Sequence, residues 1–272
     1  MNYTLLKYNI APNVETFSTT RISPFNPTAE ELKDMGKYAA FNVTDYCGDD
    51  ISRVDKNKKW LCKELGIKDE QLWLPHQTHT ANVRIIDEAF LALNKEEQRA
   101  ALNEIDAVIT PFKGHCIGVS TADCVPVLVY DKKNEVIAAI HAGWRGTVKR
   151  IPQVCLTTMK QTFSTNPADC TAIIGPSISL DAFEVGEEVA EAFLEAGFPQ
   201  EIISHNYPSK PHIDLWAANT YLLEEAGISL EHIQIAGICT YDHYDSFFSA
   251  RRLGIKSGRI FTGICMNTPK SV

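Results

Sequence analysis

The sequence lacks the features that mark secreted, membrane-spanning and nucleic-acid-binding proteins. Its first residues, MNYTLLKYNIAPNVETF, contain no apolar core like that of a signal peptide, and no apolar run approaches the roughly 20 residues of a membrane span. Lys and Arg total 26 against 34 Asp and Glu, which gives a formal net charge of −8 without a basic stripe. Nucleic acid is therefore not expected as a partner. We expect a soluble, cytoplasmic protein that does not bind membranes.

Patterns that indicate disulfides are also missing. The eight cysteines are scattered through the 272 residues, and no CxxC pair occurs. A chain of this length can bury a core without covalent crosslinks. Free cysteines are usually small buried core residues, and we expect that role for most of the eight.

Apolar runs and helix caps alternate along the chain, without repeats or low-complexity segments. Helices are predicted after the capping box Thr28–Glu31, over Ser52–Leu65, over Val185–Phe198 and after the cap Asp214. Strands are predicted over runs that are mostly apolar throughout, namely Ala107–Thr110, Cys116–Ser120, Val125–Tyr130, Val136–Ile140, Ala172–Ile174 and Ile233–Ile238. This interspersion favours an α/β or α+β fold, and we expect residues 1–272 to form a single domain.

Three segments each place a metal-binding side chain at the end of an apolar, strand-like run. They are LPHQTHTANV (74–83), STADCVPVLVYD (120–131) and AAIHAGWRGT (138–147). Cys124 begins one run and His141 ends the next, so a hairpin at Asp131–Asn134 would bring both to one sheet edge. Two imidazoles and a thiolate form a known catalytic zinc shell that leaves a position open for water or substrate. With His79, these residues are a candidate zinc site, although a His or Cys beside apolar residues is more often a core residue.

Further motifs occur in order along nearly the whole chain. They are FSTTR (17–21), GDD (48–50), HQTH (76–79), TADCVPVLVYD (121–131), HAGWRG (141–146), IGPSI (174–178), FEVGEEV (183–189), DLWAAN (214–219), CT (239–240) and FFSARR (247–252). The ADC and HAGWRG elements are the most specific. In these motifs the sequence resembles the FAMIN-related, laccase-like polyphenol oxidase family, which includes many bacterial purine nucleoside phosphorylases.

The resemblance implies a fold, a cofactor and an activity. The fold is a four-layer α/β/β/α sandwich with mixed sheets, and the cofactor is a zinc ion bound by His79, Cys124 and His141. The activity is phosphorolysis of adenosine, inosine, guanosine and methylthioadenosine, with deamination of adenosine as a second reaction. The implied small-molecule ligands are a purine nucleoside and phosphate, and the sequence does not indicate an oligomeric state.

Chemical roles are expected for residues near these ligands. We expect Arg145, close to a helix start, to contact phosphate or a developing oxyanion. Asp123 would orient a ligand or accept a proton, and Asp123 or Glu184 would shuttle protons in deamination. The residues expected to contact the substrate are Arg21, Asn42, Lys58, Glu184, Ser249 and Arg251.

Two departures from the family pattern affect this set. Lys58 stands where the family has arginine, which keeps the charge but loses the bidentate fork of a guanidinium. The Gly-rich turn usual after Arg21 is replaced by ISPFNPTAEE. If residue 58 contacts phosphate or a base edge, lysine there would change affinity or substrate choice.

Three other functions are alternatives to nucleoside phosphorolysis. Cys124 activated by His141 could hydrolyse amides through a thioester, a chemistry suited to editing peptidoglycan precursors, and metal content distinguishes this from the zinc reading. A zinc-stabilised binding module would unfold on chelation, whereas a catalytic metal in a core this large would not be needed for folding.

A multicopper oxidase needs roughly ten histidines, many in HxH pairs. This chain has eight and no HxH, although copper could occupy the zinc ligands adventitiously.

Overall fold

The structure, a computed structural model, describes residues 3–206 and 210–268. The strands in these ranges are β1 (Leu5–Ala11), β2 (Val14–Thr19), β3 (Leu72–Trp73), β4 (Val83–Ile85), β5 (Ala107–Thr110), β6 (Cys116–Thr121), β7 (Val125–Asp131), β8 (Val136–Ala142), β9 (Cys170–Ile174), β10 (Ile203–Ser204), β11 (His212–Ile213), β12 (Ile233–Ile235) and β13 (Ile260–Met266). The α-helices are α1 (Ala29–Met35), α2 (Ile51–Leu65), α3 (Glu88–Leu91), α4 (Lys95–Ala101), α5 (Trp144–Val148), α6 (Ile151–Phe163), α7 (Glu187–Glu195), α8 (Leu215–Glu225) and α9 (Ala250–Leu253). Both ends of the predicted domain 1–272 lie outside the described residues.

Two large mixed sheets form the centre of the molecule. The first has the strand order β1-β2-β13-β6-β3, and the second has the order β12-β9-β7-β8-β5-β4. Most neighbours pair antiparallel, whereas β3 with β6, β4 with β5, and β12 with β9 pair parallel. A separate two-stranded sheet joins β10 and β11.

The side chains of β7 show how the layers stack. Val127 and Val129 point into the core shared with α6, where they join Met159. Leu128 and Tyr130, on the opposite face, join the core between the two sheets. Because successive residues of a strand point to opposite faces, a strand that is apolar throughout must be covered on both sides. This explains the uninterrupted apolar runs in the sequence.

The outer layers complete a four-layer sandwich. On the outer face of the first sheet, Phe17 and Phe261 pack with Leu61 of α2. On the outer face of the second sheet, Leu156 of α6 and Leu222 of α8 lie in the same core as the sheet residues. The predicted α/β/β/α arrangement with mixed sheets in an α+β fold is confirmed.

Local signals in the sequence set the ends of several helices. The Thr28 hydroxyl accepts a hydrogen bond from the backbone N–H of Glu31 in a complete capping box, and Asp214 caps α8 through Ala217. Helix α2 ends at Gly66, whose φ of 66° is in the left-handed region that glycine adopts readily. The prediction of a strand to Ile238 was too long, since β12 ends at Ile235. Among the described residues, no helix has the length and apolar character needed to cross a membrane.

Candidate metal centre

The hairpin of β7 and β8 brings Cys124 and His141 together. Val125 pairs with Ala142 and Pro126 with His141 across the antiparallel ladder, and Cys124 directly precedes β7. The turn between the strands is closed by Asp131, whose carboxylate accepts hydrogen bonds from the backbone of Lys133 and Asn134. The juxtaposition expected from the hairpin is confirmed.

His79 reaches the same place from a loop, and the expectation that it ends a strand-like run was wrong. It lies between β3 and β4, and its φ is 63°, in the left-handed region that non-glycine residues rarely adopt. The carboxylate of Asp106 accepts hydrogen bonds from the backbone N–H groups of His79 at 3.0 Å and Thr80 at 2.8 Å. The loop does not pair with a strand at this point. The hydrogen bonds to Asp106 therefore satisfy its backbone N–H groups and fix its conformation.

The three side chains lie close enough together to hold one metal ion. Their ligand atoms lie within 4.8 Å of one another, and His79 Nε2 lies 3.7 Å from Cys124 Sγ. Zinc–sulfur and zinc–nitrogen bond lengths of about 2.3 and 2.0 Å place tetrahedral ligands about 3.5 Å apart. His141 is buried, Cys124 is half-buried and His79 is exposed, so the group opens to solvent on one side. The donor set therefore fits a zinc ion with one position left for water or substrate.

Asp106 also fixes the imidazole of His141. Its Oδ1 lies 2.7 Å from His141 Nδ1, and the carboxylate is fully buried. This contact makes Nδ1 the donor and leaves Nε2 as the nitrogen available to a metal, an arrangement common among metal-binding histidines. Burial by itself would raise the pKa of Asp106, but the hydrogen bond and charge of His141 lower it to about 2.

The histidines favour the thiolate form of Cys124. Burial by itself would raise the pKa of this thiol, but the charge and hydrogen bond of His141, together with those of His79, lower it to about 6. Burial would lower the pKa of His141, but the thiolate and Asp106 raise it to about 9. The thiolate is the form of cysteine that binds metal ions and also the form that acts as a nucleophile.

Gly143 provides the space for this group. A Cβ atom at this position would lie 2.9 Å from Cys124 Sγ and 3.0 Å from His79 Cδ2. We expect Gly143→Ala to lower zinc affinity about tenfold or more, because both side chains must move and misplaced ligand shells typically cost this much. The measurement is competition with a zinc chelator.

Gly146 supplies the matched control, since its added Cβ would make contacts of 3.4 Å, close to ordinary van der Waals distances. Gly146→Ala should bind zinc as the wild type does. Unchanged affinity in Gly143→Ala would contradict the proposed ligand geometry.

Asp123 lies beside the metal ligands, but its carboxylate is already engaged. Oδ1 accepts a hydrogen bond of 2.7 Å from the Thr240 hydroxyl, and Oδ2 accepts one of 2.7 Å from the backbone N–H of Arg251. The φ of Asp123 is 86°, which turns the chain sharply before Cys124. These contacts favour a positioning role for Asp123 over proton transfer.

The exposed arginines near this turn lie on aromatic rings. Arg145 is in the short helix α5, with its guanidinium 4.3 Å from the centre of the Trp144 ring. Arg251 lies 5.6 Å from the ring of Phe183 and donates a hydrogen bond of 3.0 Å to the carbonyl of Glu184. The Glu184 side chain lies 3.7 Å from Lys210. Arg251 and Glu184 are therefore neighbours.

Three other predicted substrate residues hold the fold around the site. Arg21 donates hydrogen bonds to the carbonyls of Ala39 and Tyr244. Asn42 is fully buried and bridges Thr44 and Asp49, and Ser249 is a buried cap whose hydroxyl accepts from the N–H of Arg252 in α9.

Lys58 occupies a different part of the surface. Its ammonium pairs with Asp45 at 3.1 Å in a cleft of about 770 Å³ whose lining includes Tyr46, Trp73 and His76. His79, Cys124 and His141 are not among the residues that line this cleft.

Sequence reasoning missed Asp106, Gln77 and Gly143. The Gln77 amide accepts from the N–H of Ser120 at 2.7 Å and donates to its carbonyl at 2.8 Å, which joins the His79 loop to the end of β6. An acidic residue directly before the apolar run of β5 was the available signal for Asp106. Its partners are 27 and 35 residues away, so no local pattern identifies them.

Fold and site together define the class: an α/β/β/α sandwich with two histidines and one cysteine converging at the edge of a sheet. A family model described as multi-copper polyphenol oxidoreductase laccase matches residues 30–267. The chain belongs to this family, which confirms the resemblance drawn from its motifs.

Named relatives cover nearly the whole chain. A protein of Bacteroides thetaiotaomicron named purine nucleoside phosphorylase is 48% identical over 252 residues, which is 92% of this chain and 93% of the relative. A protein from an unknown prokaryotic organism named adenosine deaminase RL5 is 44% identical over 253 residues, with 92% and 93% covered. The crystal structure of YlmD from Geobacillus stearothermophilus matches with a TM-score of 0.87 at 24% identity, covering 98% of each chain, and supports the fold alone.

Proposed function

We propose that the protein is a zinc-dependent purine nucleoside phosphorylase that also deaminates adenosine. The observation that carries this proposal is the convergence of His79, Cys124 and His141 at zinc-ligand spacing, with Asp106 behind His141. The names of the two relatives at 48% and 44% identity support the choice of reactions. The proposed substrates are adenosine, inosine, guanosine and methylthioadenosine, with phosphate as the second substrate.

The ligands support zinc as the proposed metal. Among residues 3–206 and 210–268, one group of three such side chains meets the spacing of a metal site. A multicopper oxidase needs several copper centres, so one such group supports a single ion and not the chemistry in the family's description. A two-His, one-Cys shell is a known catalytic zinc set.

When bound, zinc would supply Lewis acidity and activate water. The chain supplies the remaining functions. Asp106 keeps the proton on His141 Nδ1, and Gly143 leaves room for the ligand side chains. Asp123 holds the turn before Cys124 against Thr240 and against helix α9, which carries Arg251.

The anionic and polar parts of the substrates would meet the residues around this turn. Arg145 and Arg251 are exposed cations and are the proposed phosphate contacts, because guanidinium forks bind phosphate through paired hydrogen bonds. Glu184, next to Arg251, is the proposed proton-transfer group for deamination.

A second candidate is the metal-free amide hydrolase. Cys124, His141 and Asp106 resemble, in that order, a nucleophile, its base and the acid that orients the base. The Cys124 thiol has a pKa of about 6. Zinc binding is favoured over this reading because His79 Nε2 lies 3.7 Å from the same sulfur. A Cys–His nucleophile needs no second imidazole, whereas a metal shell does.

The decisive experiment is chromatography of adenosine incubated with zinc-replete protein, with and without phosphate. We expect adenine and ribose 1-phosphate only when phosphate is present, and inosine in its absence. The nucleoside proposal fails if neither product forms, the purified protein holds no metal and iodoacetamide alkylates Cys124. Amide substrates would then be tested next.

A further inference from the structure

Arg252 is held between two tyrosine rings on the surface. Its guanidinium carbon lies 5.0 Å from the ring centre of Tyr241 and 4.7 Å from that of Tyr244. Nη1 donates a hydrogen bond of 3.2 Å to the Tyr241 hydroxyl. A long side chain at an exposed position normally samples many rotamers, so two rings and a hydrogen bond restrict it to one orientation.

The loop that carries Tyr244 is itself fixed. Arg21 donates through its guanidinium to the carbonyl of Tyr244 and through its backbone N–H to the carbonyl of Ser246, at 2.8 Å in the second case. The ring of Phe248 lies 5.0 Å from the same guanidinium. Arg21, expected from the sequence to touch substrate, thus supports the segment that positions Arg252.

Asp123 links this arrangement to the chain segment that carries the metal ligand Cys124. The two groups that hold the Asp123 carboxylate are the hydroxyl of Thr240 and the N–H of Arg251. Tyr241 directly follows Thr240, and Arg252 directly follows Arg251. Asp123 in turn directly precedes Cys124. The residues that fix the metal ligand and those that fix Arg252 are therefore chain neighbours.

The chemistry of the site suits an inorganic anion. A guanidinium has five N–H donors, and its flat fork matches two oxygens of a phosphate. A guanidinium stays charged in proteins, and hydrogen bonds to Tyr241 and Tyr244 raise the pKa of Arg252 above its ordinary value. Arg251, the next residue along the chain, adds a second positive charge.

We propose that Arg252, held by Tyr241 and Tyr244, is a phosphate-binding residue beside the metal centre. The inference deepens the proposed function, since it assigns to this residue the recognition of the second substrate of phosphorolysis. Nucleoside contacts are left to other residues. Deamination, which uses no phosphate, should therefore not depend on Arg252.

The test measures binding of inorganic phosphate by calorimetry and the rates of both reactions. We expect Arg252→Gln in the zinc-replete protein to weaken phosphate binding and raise the phosphate KM roughly tenfold or more, the usual effect of losing a charge-assisted contact. Deamination of adenosine without phosphate should be unchanged. Arg252→Lys should be intermediate, because it keeps the charge but loses the fork and its stacking.

Arg84→Gln is the matched control, since Arg84 is also exposed and donates one hydrogen bond, to Ala101 in a different part of the fold. It should bind phosphate as the wild type does. Equal phosphate affinity in wild type and Arg252→Gln overturns the inference, as does a wild type that binds no phosphate. If phosphate binds through Arg252 but no ribose 1-phosphate forms, the inference stands and the proposed phosphorolysis fails.

Discussion

Replacing Cys124 by serine is expected to remove most of the bound zinc and to lower both reaction rates about a thousandfold or more. The metal contributes several kcal/mol of charge stabilisation in reactions of this kind, and each 1.4 kcal/mol corresponds to a factor of ten. Serine is close to cysteine in size, but its hydroxyl does not ionise near neutral pH and cannot replace the thiolate. Metal content by mass spectrometry and both activities by chromatography give the measurement.

Cys47→Ser provides the control for this substitution. Cys47 is also a free, half-buried cysteine, but its sulfur contacts Asn42 and Thr44 outside the metal group. It should leave zinc content and rates unchanged. A Cys124→Ser protein that retains both would show that the metal site is elsewhere. If Cys124→Ser loses activity although the wild type contains no metal, the amide hydrolase is favoured.

Asp106→Asn is expected to lower zinc affinity 10- to 100-fold, the usual cost of losing a carboxylate that is hydrogen-bonded to a metal-binding histidine. Both oxygens of Asp106 accept hydrogen bonds: one from His141 and the backbone of His79, the other from the backbone and hydroxyl of Thr80. An amide in this place must turn its NH₂ group towards one pair of donors. We therefore also expect a loss of about 3 kcal/mol in the free energy of unfolding, because a buried charged acceptor is removed.

Asp131→Asn separates these two effects. Asp131 is also fully buried and accepts hydrogen bonds from Lys133 and Asn134, but it lies at the opposite end of β7 from Cys124. This control should lose stability in denaturant titrations while its zinc affinity stays that of the wild type. An Asp106→Asn protein that loses stability but binds zinc normally would reduce Asp106 to a structural role.

Some expectations concern properties beyond the site. The predicted cytoplasmic location, the absence of nucleic-acid partners and the single domain over residues 1–272 stay predictions. Purification and proteolysis of the protein would test the domain boundaries.

Much of the candidate site could be predicted from local sequence. Cys124 and His141 flank two apolar runs with a turn between them, and a hairpin leaves only one relative placement for their side chains. The roles of the predicted substrate residues were harder to infer. Ser249 belongs to the same FFSARR motif as Arg251, yet Ser249 and Asn42 are buried and bond to backbone groups, while Arg251 is exposed. A motif identifies a residue but does not show whether its side chain faces solvent.

The sequence by itself determined six of the thirteen described strands (β5 to β9 and β12), several helix caps and the β7–β8 hairpin, because these depend on residues within a few positions of one another. Apolar runs without alternation already required sheets covered on both faces. Only the tertiary structure decided which groups complete the site. His79 meets Cys124 across 45 residues, and Arg251 meets Asp123 across 128. Contacts at such separations depend on how two sheets and their helices pack, and packing is a property of the whole core that no single segment encodes.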